Sequence, residues 1–89
     1  MEFEWFEEKR LWTLNVRDID FRDARLLFDG RPLFMYASPR GDEERFVSVG
    51  LLEQEFIAVI WMDRNGVRRI ISMRRARDGE KRSYCALYG

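Results

Sequence analysis

Residues 55–74, EFIAVIWMDRNGVRRIISMR, decide the fold of this chain. Their first half, Glu55 to Asp63, contains the most apolar run in the sequence, which is typical of a central β-strand. Their second half, Val67 to Arg74, has the composition of a neighbouring strand. The Asn65-Gly66 pair between them fits a type I′ turn. The segment therefore predicts a β-hairpin inside a sheet.

The elements on either side of this hairpin give an α+β layout. The sequence predicts a short strand over Glu2–Phe6, helices over Glu7–Arg17 and from Asp20 to a stop at Gly30, strands over Pro32–Ser38 and Arg45–Glu53, and a last helix from about Asp78 to Leu87. This order, β-α-α-β-β-β-β-α, predicts a single domain, residues 1–89. Two N-terminal helices and a C-terminal helix are expected to pack on an antiparallel sheet.

The second helix is the better marked of the first two. Asp20 is a suitable N-cap and Gly30 a suitable left-handed stop. Its buried stripe is predicted to consist of Phe21, Ala24, Leu27 and Phe28. We expect Trp12 of the first helix to pack against this second helix, with a partner-binding face as the alternative.

Positive charge is concentrated at one end of a chain whose formal net charge is zero. Counted from the sequence, residues 1–30 carry five basic and eight acidic groups, residues 31–63 three and six, and residues 64–89 eight and two. Fourteen of the sixteen basic residues are arginines, which suit bidentate contacts to phosphate. The last third therefore favours a nucleic-acid partner, although charged edge strands also serve to discourage aggregation.

Composition also excludes several classes of site. The chain has a single cysteine, Cys85, and no histidine, so neither an internal disulfide nor ordinary zinc ligation is expected. Cys85 is expected to be a small buried residue. No apolar run approaches the roughly 18 residues of a membrane span, and the N-terminus is acidic where a signal peptide would be basic. The sequence predicts a cytoplasmic protein that needs neither metal nor cofactor and contacts no membrane.

The arginines of the last strand raise a geometric question. Strict alternation places Arg68, Ile70, Ser72 and Arg74 on one face, and Arg69, Ile71, Met73 and Arg75 on the other. Since one face must cover the core, these arginines share a surface only if a bulge or the strand end re-aims some of them. With such re-aiming we expect a phosphate-binding cluster. Its members would be Arg45, Arg69, Arg74 and Arg75, with Lys81 and Arg82 from the last helix and Arg68 as a further RNA-binding candidate.

Such a cluster is also suited to RNA cleavage. Attack by the ribose 2′-hydroxyl on the adjacent phosphate needs a base, an acid and a stabiliser of the anionic transition state. Without histidine, the candidates for proton transfer are Lys9, Glu80 and Tyr84, with the arginines holding the phosphate.

Four blocks of the sequence carry the motifs of one known protein family, in that family's order and spacing. FEWFEEKR resembles the opening F-E-W-D-x-x-K through Phe3, Glu4, Trp5 and Lys9, with Phe6 in place of the Asp. DFRDARLLFDGRPL resembles F-x-x-A…F-D-D-P through Phe21, Ala24, Phe28 and Asp29. ERFVSVG resembles E-x-R-F-x-x-I-G through Arg45, Phe46 and Gly50. RIISMRRA…E…Y resembles R-I-I-S-A-R-x-A…E…Y through Arg69, Ile70, Ile71, Ser72, Arg74, Ala76, Glu80 and Tyr84. Together these four blocks resemble the BrnT toxin family.

The resemblance implies a RelE-like fold, RNA cleavage without a metal, and inhibition of translation. It also implies a cognate BrnA-like antitoxin that binds DNA, so that the toxin would reach DNA only through its partner. By motif match it implies functional positions at Lys9, Arg45, Arg69, Arg74, Arg75, Glu80 and Tyr84. Structural roles remain as alternatives: a helix-surface cation for Lys9, an ion pair for Arg69 and Glu80, and a core position for Tyr84.

The chain departs from the family after the first helix. Many members have N-x-x-K-H-G there, where this sequence has Thr13, Val16, Arg17 and Asp18 at the matching positions. If that Lys-His pair supports cleavage, the departure implies weaker or different cleavage. A second hypothesis is therefore a catalytically inactive relative that acts as a corepressor with a DNA-binding antitoxin.

Overall fold

Five β-strands form one open sheet in the computed structural model, which describes residues 1–89. The strands are β1 (Glu2–Trp5), β2 (Phe34–Ala37), β3 (Phe46–Leu52), β4 (Glu55–Arg64) and β5 (Val67–Arg75). The helices are α1 (Glu7–Arg17), α2 (Ala24–Leu27), which is entered through a 3-10 turn over Phe21–Asp23, and α3 (Asp78–Tyr88). The predicted α+β layout is confirmed.

The predicted hairpin lies at the centre of the sheet. The strand order is β1-β5-β4-β3-β2, which makes β4 the middle strand. Asn65 and Gly66 have φ angles of 53° and 79°, the positive values that a type I′ turn requires at both positions. Strands β2 to β5 are antiparallel, whereas β1 pairs with β5 in parallel and makes the sheet mixed. That pairing joins the two ends of the sequence, so local patterns could not indicate its direction.

A β-bulge in β5 divides its arginines between the two faces of the sheet. Ile60 pairs with Ser72 while Trp61 pairs with Ile70, so Ile71 is an extra residue on β5. Ile70 and Met73 consequently point into the same core although they are three residues apart. The extra residue reverses the alternation of the side chains in the second half of β5. As a result residues 69 and 74 lie on one face, and residues 68 and 75 lie on the other.

One face of the sheet, called the closed face here, is covered by the 3-10 turn and α2. Its core consists of Ile19, Phe21, Ala24, Leu27, Ile57, Val59, Trp61, Ile70 and Met73. The Asp20 side chain accepts a hydrogen bond from the Arg22 backbone N–H, so the predicted start of this helical segment is confirmed. The predicted stop at Gly30 is not where the helix ends: α2 ends at Leu27 with Phe28 as its C-cap, although Gly30 does have a positive φ of 103°. The predicted stripe is buried here, with Phe28 packed at its margin.

The other face, called the open face here, is covered by α3 at one end only. Its smaller core consists of Val47, Val49, Ala58, Ala76 and Tyr84, and α3 packs over β2 and β3 there. Between α3 and the start of α1 the side chains of β3, β4 and β5 line recesses open to solvent. The functional candidates are found in this uncovered part.

Two expectations about single side chains were wrong. Trp12 is half exposed and lies beneath the Arg17 guanidinium, 5.2 Å from the ring centroid, rather than against the second helix. Cys85 is exposed because α3 turns Glu80 and Tyr84 toward the sheet and leaves residue 85 outside that stripe.

No helix of this fold combines the length and the apolar character needed to cross a membrane.

Candidate nucleic-acid interface

A recess of about 370 Å³ on the open face is lined by cationic side chains and by no carboxylate. The cations are Lys9, Arg40, Arg45, Arg74 and Arg77. Lys9 comes from α1, Arg40 from the loop between β2 and β3, and Arg77 from the residue that precedes α3. We call this cavity the first recess.

A second recess of about 230 Å³ adjoins the first and shares Lys9, Arg45 and Ile71 with it. It adds two further cations, Arg64 and Arg69. Its other lining side chains are Phe6, Glu43, Met62 and Ile70. Together the two recesses form one continuous basic surface, whose floor includes apolar side chains of β4 and β5.

Arg74 is the most tightly held of these cations. Its guanidinium donates to both carboxylate oxygens of Glu80, at 2.8 and 3.0 Å. Glu80 also accepts from the Tyr36 hydroxyl and from the backbone N–H of Arg77, at 2.8 Å for the latter. Since Glu80 is only 6% exposed, this network fixes Arg74 at the edge of the first recess.

The network also decides the protonation of its members. Burial alone would raise the pKa of Glu80, but the hydrogen bonds from Arg74, Tyr36 and the Arg77 backbone outweigh it and lower that pKa to about 2. Burial, followed by the hydrogen bond to Glu80, raises the pKa of Tyr36 above its ordinary value. At neutral pH Glu80 is therefore a weakly basic carboxylate whose oxygens are already occupied.

Arg45 and Arg69 are held more loosely. Arg45 pairs with Glu43 at 2.7 Å, and Arg69 pairs with Glu4 across β1 and β5 at 2.6 Å. Both carboxylates are exposed, and exposed ion pairs contribute at most about 1 kcal/mol. A bound phosphate can therefore compete for these two guanidinium groups.

Four cations of the two recesses have no carboxylate within salt-bridge distance: Lys9, Arg40, Arg64 and Arg77. Loss of solvent around the Lys9 ammonium, followed by repulsion from Arg17, Arg45 and Arg40, lowers its pKa. A bound polyanion would neutralise the positive charge of these four side chains.

Two of the predicted RNA-binding arginines lie on the closed face. The Arg68 guanidinium stacks on Trp61, 3.7 Å from the ring centroid, and donates to Asp63 at 2.9 Å. Arg75 donates to the backbone carbonyl of Arg17 at 2.7 Å. The predicted grouping of Arg75 with Arg74 is not found, because neighbouring residues of a strand point to opposite faces.

The predicted residues from α3 do not line either recess. Tyr84 packs against Phe56 and Tyr88 in the smaller core, with ring centroids 5.3 and 5.0 Å away. Lys81 and Arg82 lie on α3 outside both cavities. Of the predicted set, the structure brings together Lys9, Arg45, Arg69 and Arg74, with Glu80 behind Arg74.

Sequence reasoning missed Tyr36, Arg40, Arg64 and Arg77. Arg40 lies in the SPRGDEE loop, which the sequence marked only as a turn, although loops often carry binding residues. Tyr36 and Phe34 are two residues apart in β2, and this spacing would have indicated that their side chains lie on the same face of the sheet. Arg77 carried no local signal, since its position depends on where α3 begins.

These features define a small α+β domain with a basic surface on a partly uncovered sheet face. A family model described as "Ribonuclease toxin, BrnT, of type II toxin-antitoxin system" matches residues 5–80. The chain therefore belongs to this family of ribonuclease toxins, as the four sequence blocks indicated, and the family implies an antitoxin protein as its partner. No curated protein gave a significant match to the chain.

Proposed function

We propose that this protein is a metal-independent endoribonuclease that binds single-stranded RNA across the two recesses of the open face. The observation that carries the proposal is the first recess, where five cations meet and no carboxylate lines the wall. Phosphate groups of a flexible strand can reach such a cavity, and each neutralised phosphate releases counterions and adds affinity. No step of the proposed reaction needs a metal.

The proposed chemistry assigns different tasks to Lys9 and Arg74. The lowered pKa of Lys9 increases the fraction of neutral amine, which can take the proton from the attacking 2′-hydroxyl. The ammonium formed in this way can then protonate the 5′-oxygen as its bond to phosphorus breaks. Arg74, held by Glu80, is positioned to stabilise charge on the phosphate. In this proposal Glu80 positions the Arg74 guanidinium, and Tyr84 packs in the smaller core.

The biological part of the proposal is inhibition of translation, relieved by a BrnA-like antitoxin. Such an antitoxin would bind DNA itself and would cover part of the basic surface. Growth arrest on expression, relieved by co-expression of the neighbouring gene's product, is the expected result. Arrest that the neighbouring product leaves unchanged would contradict this part.

The enzymatic part is tested with purified protein and single-stranded RNA in EDTA. The parent is expected to cleave, and Lys9→Ala to lose about 10²–10⁴-fold in rate, the usual contribution of a general acid-base group. Binding is measured on a non-cleavable 2′-O-methyl strand over a series of salt concentrations. Arg40→Ala and Arg77→Ala should each reduce the salt slope by about 0.7, the value for one phosphate contact on a single strand.

Arg25→Ala is the matched control, because Arg25 is exposed, is unpaired and lies on the helical side of the fold. It should leave both the rate and the salt slope unchanged. Equal losses in Arg25→Ala and Arg40→Ala would mean that net charge, rather than the recess, controls binding.

One observation favours the alternative, an inactive relative that serves as a corepressor with a DNA-binding antitoxin. Of the three side chains predicted to transfer protons, only Lys9 lines the first or the second recess, while the Glu80 carboxylate is held by Arg74, Tyr36 and the Arg77 backbone and Tyr84 packs in the smaller core. Binding of the 2′-O-methyl strand without cleavage of RNA would support this alternative. Cleavage that is lost in Lys9→Ala would exclude it.

A further inference from the structure

Phe6 is an unusual residue at its position in the fold. It is the N-cap of α1, where its side chain makes no capping hydrogen bond, and it is 63% exposed. Ser, Thr, Asp or Asn at an N-cap would stabilise a helix by about 1 kcal/mol more than an apolar residue. Phe6 also belongs to neither hydrophobic core. Neither helix capping nor core packing accounts for an aromatic ring here.

The surroundings of Phe6 indicate a different role. Its side chain lines the second recess together with Lys9, Arg45, Arg64 and Arg69. An exposed aromatic ring beside several cations is the combination found where single strands bind, since the ring stacks on a base while the cations hold phosphates. At about 230 Å³ the recess is smaller than the roughly 300–1,000 Å³ of pockets for drug-sized ligands, which favours one planar group.

The charges around the ring are available to a ligand. Lys9 and Arg64 have no carboxylate partner, and the Arg45–Glu43 pair involves an exposed carboxylate. The recess is continuous with the first recess through Lys9, Arg45 and Ile71. A strand whose phosphate occupies the first recess therefore has its neighbouring nucleotide within reach of Phe6.

We propose that Phe6 is a stacking surface for one nucleobase of the bound RNA, next to the phosphate in the first recess. This inference deepens the proposed function and rests on it, because it names a base subsite beside the phosphate-binding surface. Base–aromatic stacking corresponds to about a 5- to 150-fold gain in affinity. The gain does not depend on the identity of the base, since every base has a π-face.

The test compares Phe6→Leu, Phe6→Tyr and Phe6→Asp by fluorescence anisotropy with two labelled strands. One strand is 2′-O-methyl RNA, and the other is an abasic sugar-phosphate strand of equal length. Phe6→Leu should weaken binding of the first strand about 5- to 150-fold and leave binding of the abasic strand unchanged. Phe6→Tyr should keep the parent affinity, because its ring also stacks.

Phe6→Asp separates stacking from stability. Its carboxylate can cap α1, so its midpoint of urea unfolding should equal or exceed that of the parent, while its affinity for RNA falls. Its added negative charge also repels phosphate, so Phe6→Leu remains the variant that measures stacking. A weakly binding variant that is as stable as the parent cannot be explained by misfolding.

The outcomes separate this inference from the proposed function. If Phe6→Leu binds RNA as the parent does while Arg40→Ala does not, the base subsite is wrong and the phosphate surface stands. Equal losses on the RNA and abasic strands would overturn stacking, as would a loss confined to antitoxin binding, which would make Phe6 a protein contact. If the parent binds neither strand, both proposals are overturned.

Discussion

The two faces of the sheet differ in how many of their basic residues lack a partner. On the closed face Arg68 lies on the Trp61 ring and is paired with Asp63, and Arg75 donates to a backbone carbonyl. On the open face Lys9 and Arg40 line a recess without any carboxylate partner. The difference shows that the number of arginines on a strand does not by itself indicate a binding surface, because the face on which each one lies and the partner it has must also be known.

Arg74 is intermediate between these two groups, because it borders the open recess but has a buried partner. Its network with Glu80 and Tyr36 joins β2, β5 and α3. The comparison therefore predicts that changes to this network affect stability, and that changes to the unpaired cations affect binding.

The largest expected effect is that of Glu80→Gln. This substitution leaves the Arg74 guanidinium without its charged partner in a largely buried position, which costs about 3–5 kcal/mol in the free energy of unfolding. Urea denaturation followed by circular dichroism measures the change. The matched control is Glu43→Gln, which breaks the exposed pair with Arg45 and should cost no more than about 1 kcal/mol.

The same network predicts how the stability of the parent depends on pH. The pKa of Glu80 is about 2 in the fold, against an ordinary value of 4.5. A lowered pKa stabilises the fold at pH values above 4.5, and this contribution, about 3 kcal/mol, is lost as the pH falls from 4.5 toward 2. Glu80→Gln should lack this component of the acid dependence. If the free energy of unfolding of the parent and of Glu80→Gln fell in the same way between pH 4.5 and 2, the ionised network would be ruled out.

A smaller effect is expected at Gly50, on the closed face. A Cβ at this position would lie 2.7 Å from Leu33 Cδ2 and 3.0 Å from Leu27 Cδ2, so Gly50→Ala overpacks the core and should cost about 1–3 kcal/mol. RNA affinity should not change, because Gly50 lies on the face opposite the recesses. The same urea and anisotropy measurements test both statements.

The control for Gly50 is Gly79→Ala in α3, where the added Cβ meets only Arg82 Nη2, at 3.8 Å. Because alanine favours helix over glycine, this variant should gain up to about 1 kcal/mol. A loss of stability in Gly79→Ala would mean that the contrast in packing between the two positions is wrong.

Most of the fold could be predicted from the sequence because its signals are local. The Asn65-Gly66 turn, the apolar run of β4 and the N-cap at Asp20 each depend on residues close together in the chain. The parallel pairing of β1 and the extra residue at Ile71 depend on partners far along the sequence. For the same reason the sequence identified cations of the site, such as Lys9 and Arg45, without showing which ones have carboxylate partners.

The smallest expected effect concerns the pKa of Lys9. Repulsion from Arg40 contributes to lowering that pKa, after the larger contributions of burial and of the charges of Arg17 and Arg45. Arg40→Ala should raise the Lys9 pKa, because it removes one of the positive charges that oppose protonation of the amine. NMR titration of labelled lysine side chains measures this shift. The chain contains only one other lysine, Lys81, so the Lys81→Arg variant assigns the two signals. Arg25→Ala, on the helical side, should leave the Lys9 titration unchanged, and an equal shift in both variants would mean that Lys9 responds to total charge rather than to the recess.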